Sequence, residues 1–221
     1  PPRRDKETGD LLNPYFSPVT VHLATAEYQK DELNTQIRMF NDAFLPFYNK
    51  HILSVTGQVD FSALDLNIDQ MEKPFSGSVN TYFNDYRRYK YGLLRHLASQ
   101  QRSRASSDEY FRDRPVRLNN ISYMELFNQV YSKYLHYAAG AGDGERIGAA
   151  VRSQRFDSLR MAVFPAREMG KGNLPDLVLV KSIYDEFYDD YYSRSALLGV
   201  LDDFISHASD PAMKLLAISV R

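Results

Sequence analysis

Apolar residues recur through this chain at alternating steps of three and four, and that period restricts it to helices laid against one another. Leu33, Ile37, Phe40, Phe44, Phe47 and His51 fall on one stripe of a helix. Val79, Tyr82, Tyr86, Tyr89, Leu93 and Leu97 form a second stripe, and Leu177, Val180, Tyr184, Phe187 and Tyr191 a third. Pro46 interrupts the first stripe, removing an N–H and crowding the carbonyl of Asp42, so a kink or break is expected there. Ser122 with Glu125 three residues on has the spacing of a capping box, and Ile121 and Leu126 sit where a hydrophobic staple needs them. That helix should run through Phe127, Val130, Tyr134 and Leu135 and stop at the glycine-rich stretch 140–148. Ser193 caps a further helix carrying Leu197, Leu198, Leu201 and Ile205, and Asp210 followed by Pro211 opens the last.

The expected fold class is mainly α, an irregular multi-helix bundle of five to seven helices with a minor β element near the N-terminus. Val19–Leu23 alternates apolar and polar residues and supplies that strand. Residues 1–25 read as a linker with a short strand from an upstream domain, and 26–221 as the helical domain. Segments 54–78 and 99–113 read as irregular.

Composition narrows function mainly by exclusion. With no cysteine among 221 residues, the chain has neither disulfide nor thiol chemistry of its own. A formal net charge of −1 argues against a general nucleic-acid binder. No apolar run approaches the ~20 residues that span a bilayer, and no signal peptide opens the chain. Pro1-Pro2 at one end, and a helical pattern still running at Arg221, are what a segment cut from a longer protein would show. There are 16 Tyr and 13 Phe but no Trp; tyrosine packs its ring and keeps its hydroxyl wet, which suits helix packing or a contact surface.

The motifs that invite chemistry fail on spacing. Gly140–Gly148 lacks the third glycine of a dinucleotide loop and has no following Lys-Ser/Thr. Asp65, Asn67 and Asp69 open like a calcium loop, but the sixth and twelfth positions are Gln70 and Ser76. The histidines at 22, 51, 96, 136 and 207 are scattered, and no serine lies in G-x-S-x-G. No catalytic residue, metal ligand or cofactor site is expected.

Charge is uneven. Residues 85–117 carry Arg87, Arg88, Lys90, Arg95, Arg102, Arg104, Arg112, Arg114 and Arg117 against Asp85, Asp108, Glu109 and Asp113. Residues 176–203 carry Asp176, Asp185, Glu186, Asp189, Asp190, Asp202 and Asp203 against Lys181 and Arg194. The two stretches are solvated faces, are matched inside the protein, or form a functional patch. The candidate contact patch is Tyr188 and Tyr192 with Asp185 and Asp189: if Tyr184, Phe187 and Tyr191 face inward, Tyr188 and Tyr192 lie about 100° around the helix from their neighbours. The competing reading is a second helix covering both rings.

Several segments resemble a known family. Leu12-Asn13-Pro14-Tyr15-Phe16 and Asp31-Glu32-Leu33-Asn34 are followed by Tyr110–Val116 and Tyr123–Asn128. Asn173–Tyr184 then leads to Phe187-Tyr188 and the aliphatic helix from Ala196. In this order they resemble the helical region before the thioredoxin-like domain in large thiol-disulfide oxidoreductase-like envelope proteins of gut anaerobes. The resemblance implies an upstream β-domain and a downstream redox domain with a C-x-x-C motif as partners. It implies a setting in the periplasm or at the outer-membrane surface of a Gram-negative cell. The chain would then be a non-catalytic helical module positioning substrate or partner for a redox centre outside it. Two alternatives stand beside it: a free-standing helical adaptor or glycan-uptake lipoprotein, and an enzyme whose site carries no sequence signature.

Overall fold

The computed structural model describes residues 31–52, 61–99, 103–164, 172–189 and 191–221. The expected strand at 19–23 and the whole of 1–25 lie outside them. The described residues are mainly helical and contain no strand. Among the described residues there are eleven α-helical segments, against the expected five to seven: α1 Leu33–Ile52, α2 Phe61–Glu72, α3 Thr81–Ser99, α4 Ser103–Tyr110, α5 Ile121–Val130, α6 Tyr134–Ala138, α7 Gly144–Arg152, α8 Phe156–Val163, α9 Leu174–Glu186, α10 Arg194–His207 and α11 Pro211–Val220.

Segment 54–78 was expected to be irregular, yet Leu64 and Ile68 of α2 are buried one turn apart. Asp65, Asn67 and Asp69 therefore sit on a helix, where they cannot wrap an ion as a loop does. In 99–113, α4 turns Ser106 and Tyr110 inward at the same spacing. The glycine-rich stretch is only partly a connection: a wide turn spans Ala139–Asp143 with Gly142 at φ +114°, and α7 begins at Gly144. Helix α1 continues through Pro46. Pro46 and Asp42 both lie on its exposed side, so water can take the carbonyl that loses its N–H partner.

Two cores share α3. The smaller gathers Phe40 and Phe44 of α1, Leu64 and Ile68 of α2, and Phe83, Tyr86, Tyr91 and Leu94 of α3. Phe40 meets Tyr91 edge-on at 5.6 Å and Tyr86 at 5.9 Å. The larger core runs from Tyr89 on the other side of α3 to Ala217 in α11. Its aromatic nucleus joins Tyr89 to Tyr123 at 4.9 Å, and Phe111 to Tyr123 at 5.1 Å. Each such pair adds ~0.5–1.5 kcal/mol beyond area burial. Much of the tyrosine surplus is thus packing material. Gly92 lets α3 approach closely, since a Cβ there would lie 2.8 Å from both Leu126 Cδ2 and Tyr110 Cε1.

Helix α5 starts two residues before the capping box predicts. Its cap is Asn120, whose side-chain oxygen accepts from the Tyr123 amide at 3.3 Å and whose Nδ2 donates to the Tyr82 carbonyl at 3.2 Å. Ser122 is fully buried inside the helix, and its hydroxyl lies 2.8 Å from the Tyr86 carbonyl of α3. Glu125 reaches Lys90 at 2.6 Å instead of the cap, and Ile121 is exposed, so neither box nor staple forms. The last helix opens as expected, with Asp210 accepting from the amides of Ala212 and Met213 at 2.8 and 3.2 Å.

Candidate functional site

Helix α9 carries apolar residues on most of its circumference. Leu177, Val178, Leu179, Val180 and Ile183 are all buried, which makes it the central helix of the larger core. Only Lys181, Tyr184 and Asp185 are left to look outward over its last turns. The helix ends at Glu186, and the chain then turns towards α10. This ending removes the helical phase assumed for Tyr191 and Tyr192; Tyr184, inside α9, faces outward all the same.

Tyr188 is 74 % exposed, as the contact-patch reading requires, but Tyr192 is only 8 % exposed and belongs to the core. Tyr184 and Tyr191, expected to face inward, are 46 % and 63 % exposed. A helical stripe cannot be carried beyond the last helical residue, and Tyr191 and Tyr192 lie beyond it. The two acids do not rim the rings in the way the patch supposes. Asp185 Oδ2 accepts from the backbone N–H of Lys133 at 3.1 Å and pairs with Lys181. Asp189 lies 3.7 Å from Lys133 Nζ. Lys133 is the N-terminal cap of α6 and has φ +48°, so Asp185 supplies a partner that the start of α6 lacks. These carboxylates fasten α9 to α6.

Tyr188 instead belongs to a groove of about 360 Å³ whose other lining residues are Tyr184, Phe187, Arg194, Leu198, Val220 and Arg221. The Tyr184 and Tyr188 rings meet edge-to-face at 5.4 Å. Arg221 is held by Asp202, with Nη2 3.3 Å from Oδ2. Exposed tyrosine and arginine beside aliphatic surface is the composition of interface hot spots. The contributions of α10 and α11 left no trace in the sequence, because Arg194, Leu198 and Arg221 come together only through packing.

At the end of α9, Glu186 is almost fully buried and its Oε2 has no hydrogen-bond partner among the described residues. Burial raises its pKa, with Asp189 adding to the rise and His136 opposing it. The Tyr192 hydroxyl is also buried without a partner, and burial pushes its pKa up to about 12.

The charge-rich stretches are matched locally. Arg87 is buried against Glu72, with its guanidinium 4.7 Å from the Phe83 ring centre. Arg95 pairs with Asp65 at 2.9 Å and Arg117 with Asp85 at 3.2 Å. In the acidic stretch, Asp176 meets Arg160 at 3.0 Å and Asp203 meets Arg155 at 3.4 Å. These are ion pairs to neighbouring helices, and none of them joins the basic stretch to the acidic one.

Among the described residues no cluster of His, Asp and Glu could hold a metal ion. Nor is any of their helices long and apolar enough to cross a membrane. Comparison with protein-family models, curated proteins and solved structures finds no match to this chain.

Proposed function

We propose that this chain is a non-catalytic helical module of a thiol-disulfide oxidoreductase-like protein of the Gram-negative envelope. In this reading it docks a redox domain of the same polypeptide and positions substrate or partner for it. The observation that supports the reading is the groove of Tyr184, Tyr188, Arg194 and Arg221, which offers aromatic and cationic groups on helical elements. A domain of the same polypeptide docking there would bind intramolecularly and would need little intrinsic affinity. The redox chemistry would belong to that domain, since a chain without cysteine has no thiolate to offer.

The test is the reading frame of the parent protein. A C-x-x-C motif within about 100 residues after Arg221 agrees with short interdomain connections. Its absence overturns the redox reading.

A further inference from the structure

The groove beside Tyr188 carries charge of one sign only. Arg194 and Arg221 line it, and no carboxylate does among the described residues. The two guanidinium groups are not equivalent. Arg221 is committed to Asp202, and that pair is neutral. Arg194 is exposed, and its side chain has neither an ion pair nor a hydrogen bond among the described residues. It opens α10, whose first turn holds no acid to offset it. The nearby acids Asp185 and Asp189 are occupied with Lys181 and Lys133. Arg194 is therefore the uncompensated charge of the lining.

The remaining lining is aliphatic and aromatic. Leu198, Val220 and Phe187 are half-buried, so each still shows apolar surface to water. The hydroxyls of Tyr184 and Tyr188 lie 3.4 Å apart. Sharing one hydrogen bond uses one of their two protons and leaves the other for an acceptor outside the pair.

We propose that the groove takes an acidic peptide segment in which aspartate or glutamate stands beside an aliphatic residue. This rests on the reading of the groove as a docking surface and names the chemistry of what docks there. The carboxylate pairs with Arg194, and the aliphatic side chain covers Leu198 and Val220. A basic segment would set like charges against each other. A wholly apolar one would take Arg194 out of water without a counter-charge.

The probe is the capped peptide acetyl-Leu-Asp-Leu-Asp-Leu-amide, with versions carrying Asn or Lys in place of Asp. Each is titrated into the full chain at low salt, where exposed charges are least screened, and followed by NMR. The Asp peptide should shift the amides of Tyr184, Tyr188 and Leu198 saturably. The Asn peptide should bind roughly threefold more weakly, as expected for one exposed ion pair, and the Lys peptide more weakly still. In Arg194→Glu, at an unchanged melting temperature, the order of the Asp and Lys peptides should reverse. Equal binding of the three peptides overturns the proposal, as does an order that survives Arg194→Glu. A flat titration up to about 10 mM overturns it too. The redox domain of the same polypeptide separates the two claims. If it binds parent and Arg194→Glu alike, the acidic segment is refuted and the docking reading stands. If the peptide order reverses but the domain does not bind, the docking reading is refuted and the acidic preference stands.

Discussion

Removing the Asn120 side chain tests how α5 is started and held to α3. In Asn120→Ala the Tyr123 amide loses its cap, at a typical cost of ~1 kcal/mol. The Tyr82 carbonyl loses its partner as well, worth a further ~1 kcal/mol in a site that is almost fully buried. The sum is about 2 kcal/mol. Ser122→Ala loses one buried hydroxyl bond, also worth ~1 kcal/mol, but gains ~0.5 kcal/mol of helix propensity because Ser122 is already inside the helix. The net cost is about 0.5 kcal/mol. With a urea m-value near ~2 kcal/mol/M, the midpoint followed by far-UV circular dichroism should fall by about 1 M for Asn120→Ala and about 0.25 M for Ser122→Ala. A capping box centred on Ser122 predicts the reverse order. If Ser122→Ala proves the costlier change, the cap assignment and the energetics built on it are refuted.

Two glycine substitutions should differ in sign. Gly92→Ala drives a methyl into Leu126 and Tyr110, both buried, and should destabilise by about 1 kcal/mol after the helix-propensity gain. Gly199→Ala brings its methyl against Cγ, Cδ and Oε1 of Gln154, an exposed side chain that can rotate away, and should stabilise by ~0.5–1 kcal/mol; thermal unfolding of both variants checks the pair. Tyr188→Ser should leave stability within about 0.5 kcal/mol of the parent, whereas Tyr192→Ser should cost ~3–5 kcal/mol as an aromatic deletion from the core. Glu186 gives a pH dependence: its folded pKa is raised, so the unfolded chain releases the proton first. The associated loss of stability is absent below the ordinary glutamate pKa of 4.5 and grows as pH rises through the interval up to the folded pKa. Glu186→Gln should therefore gain stability relative to the parent from pH 4 to pH 7, and a constant difference over that range would contradict the assignment.

Helices with a one-sided pattern were legible in advance. The stripe Leu33, Ile37, Phe40, Phe44, Phe47 matches α1, and Asp210-Pro211 marks the start of α11, because side chain and backbone rules agree at those places. Helix α2 has a comparable stripe in Leu64, Ile68 and Met71, but the acidic spacing of Asp65 and Asp69 and the nearby Gly57 and Pro74 read as loop chemistry. Helix α4 buries only Ser106 and Tyr110, too few for periodicity to register. The exposure of the tyrosines in 183–192 was half legible. Tyr188 is exposed as the composition of 183–192 requires, but the phase of Tyr191 and Tyr192 depends on where α9 stops, and no glycine or proline marks that point. The charges could be counted but not paired, since the partners of Lys90 and Arg95 lie 35 and 30 residues away.

The most direct test of the docking account is a titration of this chain with the redox domain that the proposal places after Arg221, comparing the parent with Tyr184→Ser/Tyr188→Ser. The account predicts saturable binding that weakens at least tenfold in the double variant, while the melting temperature of the helical chain stays unchanged. Binding that is indifferent to the two tyrosines, or no binding at about 1 mM, contradicts it.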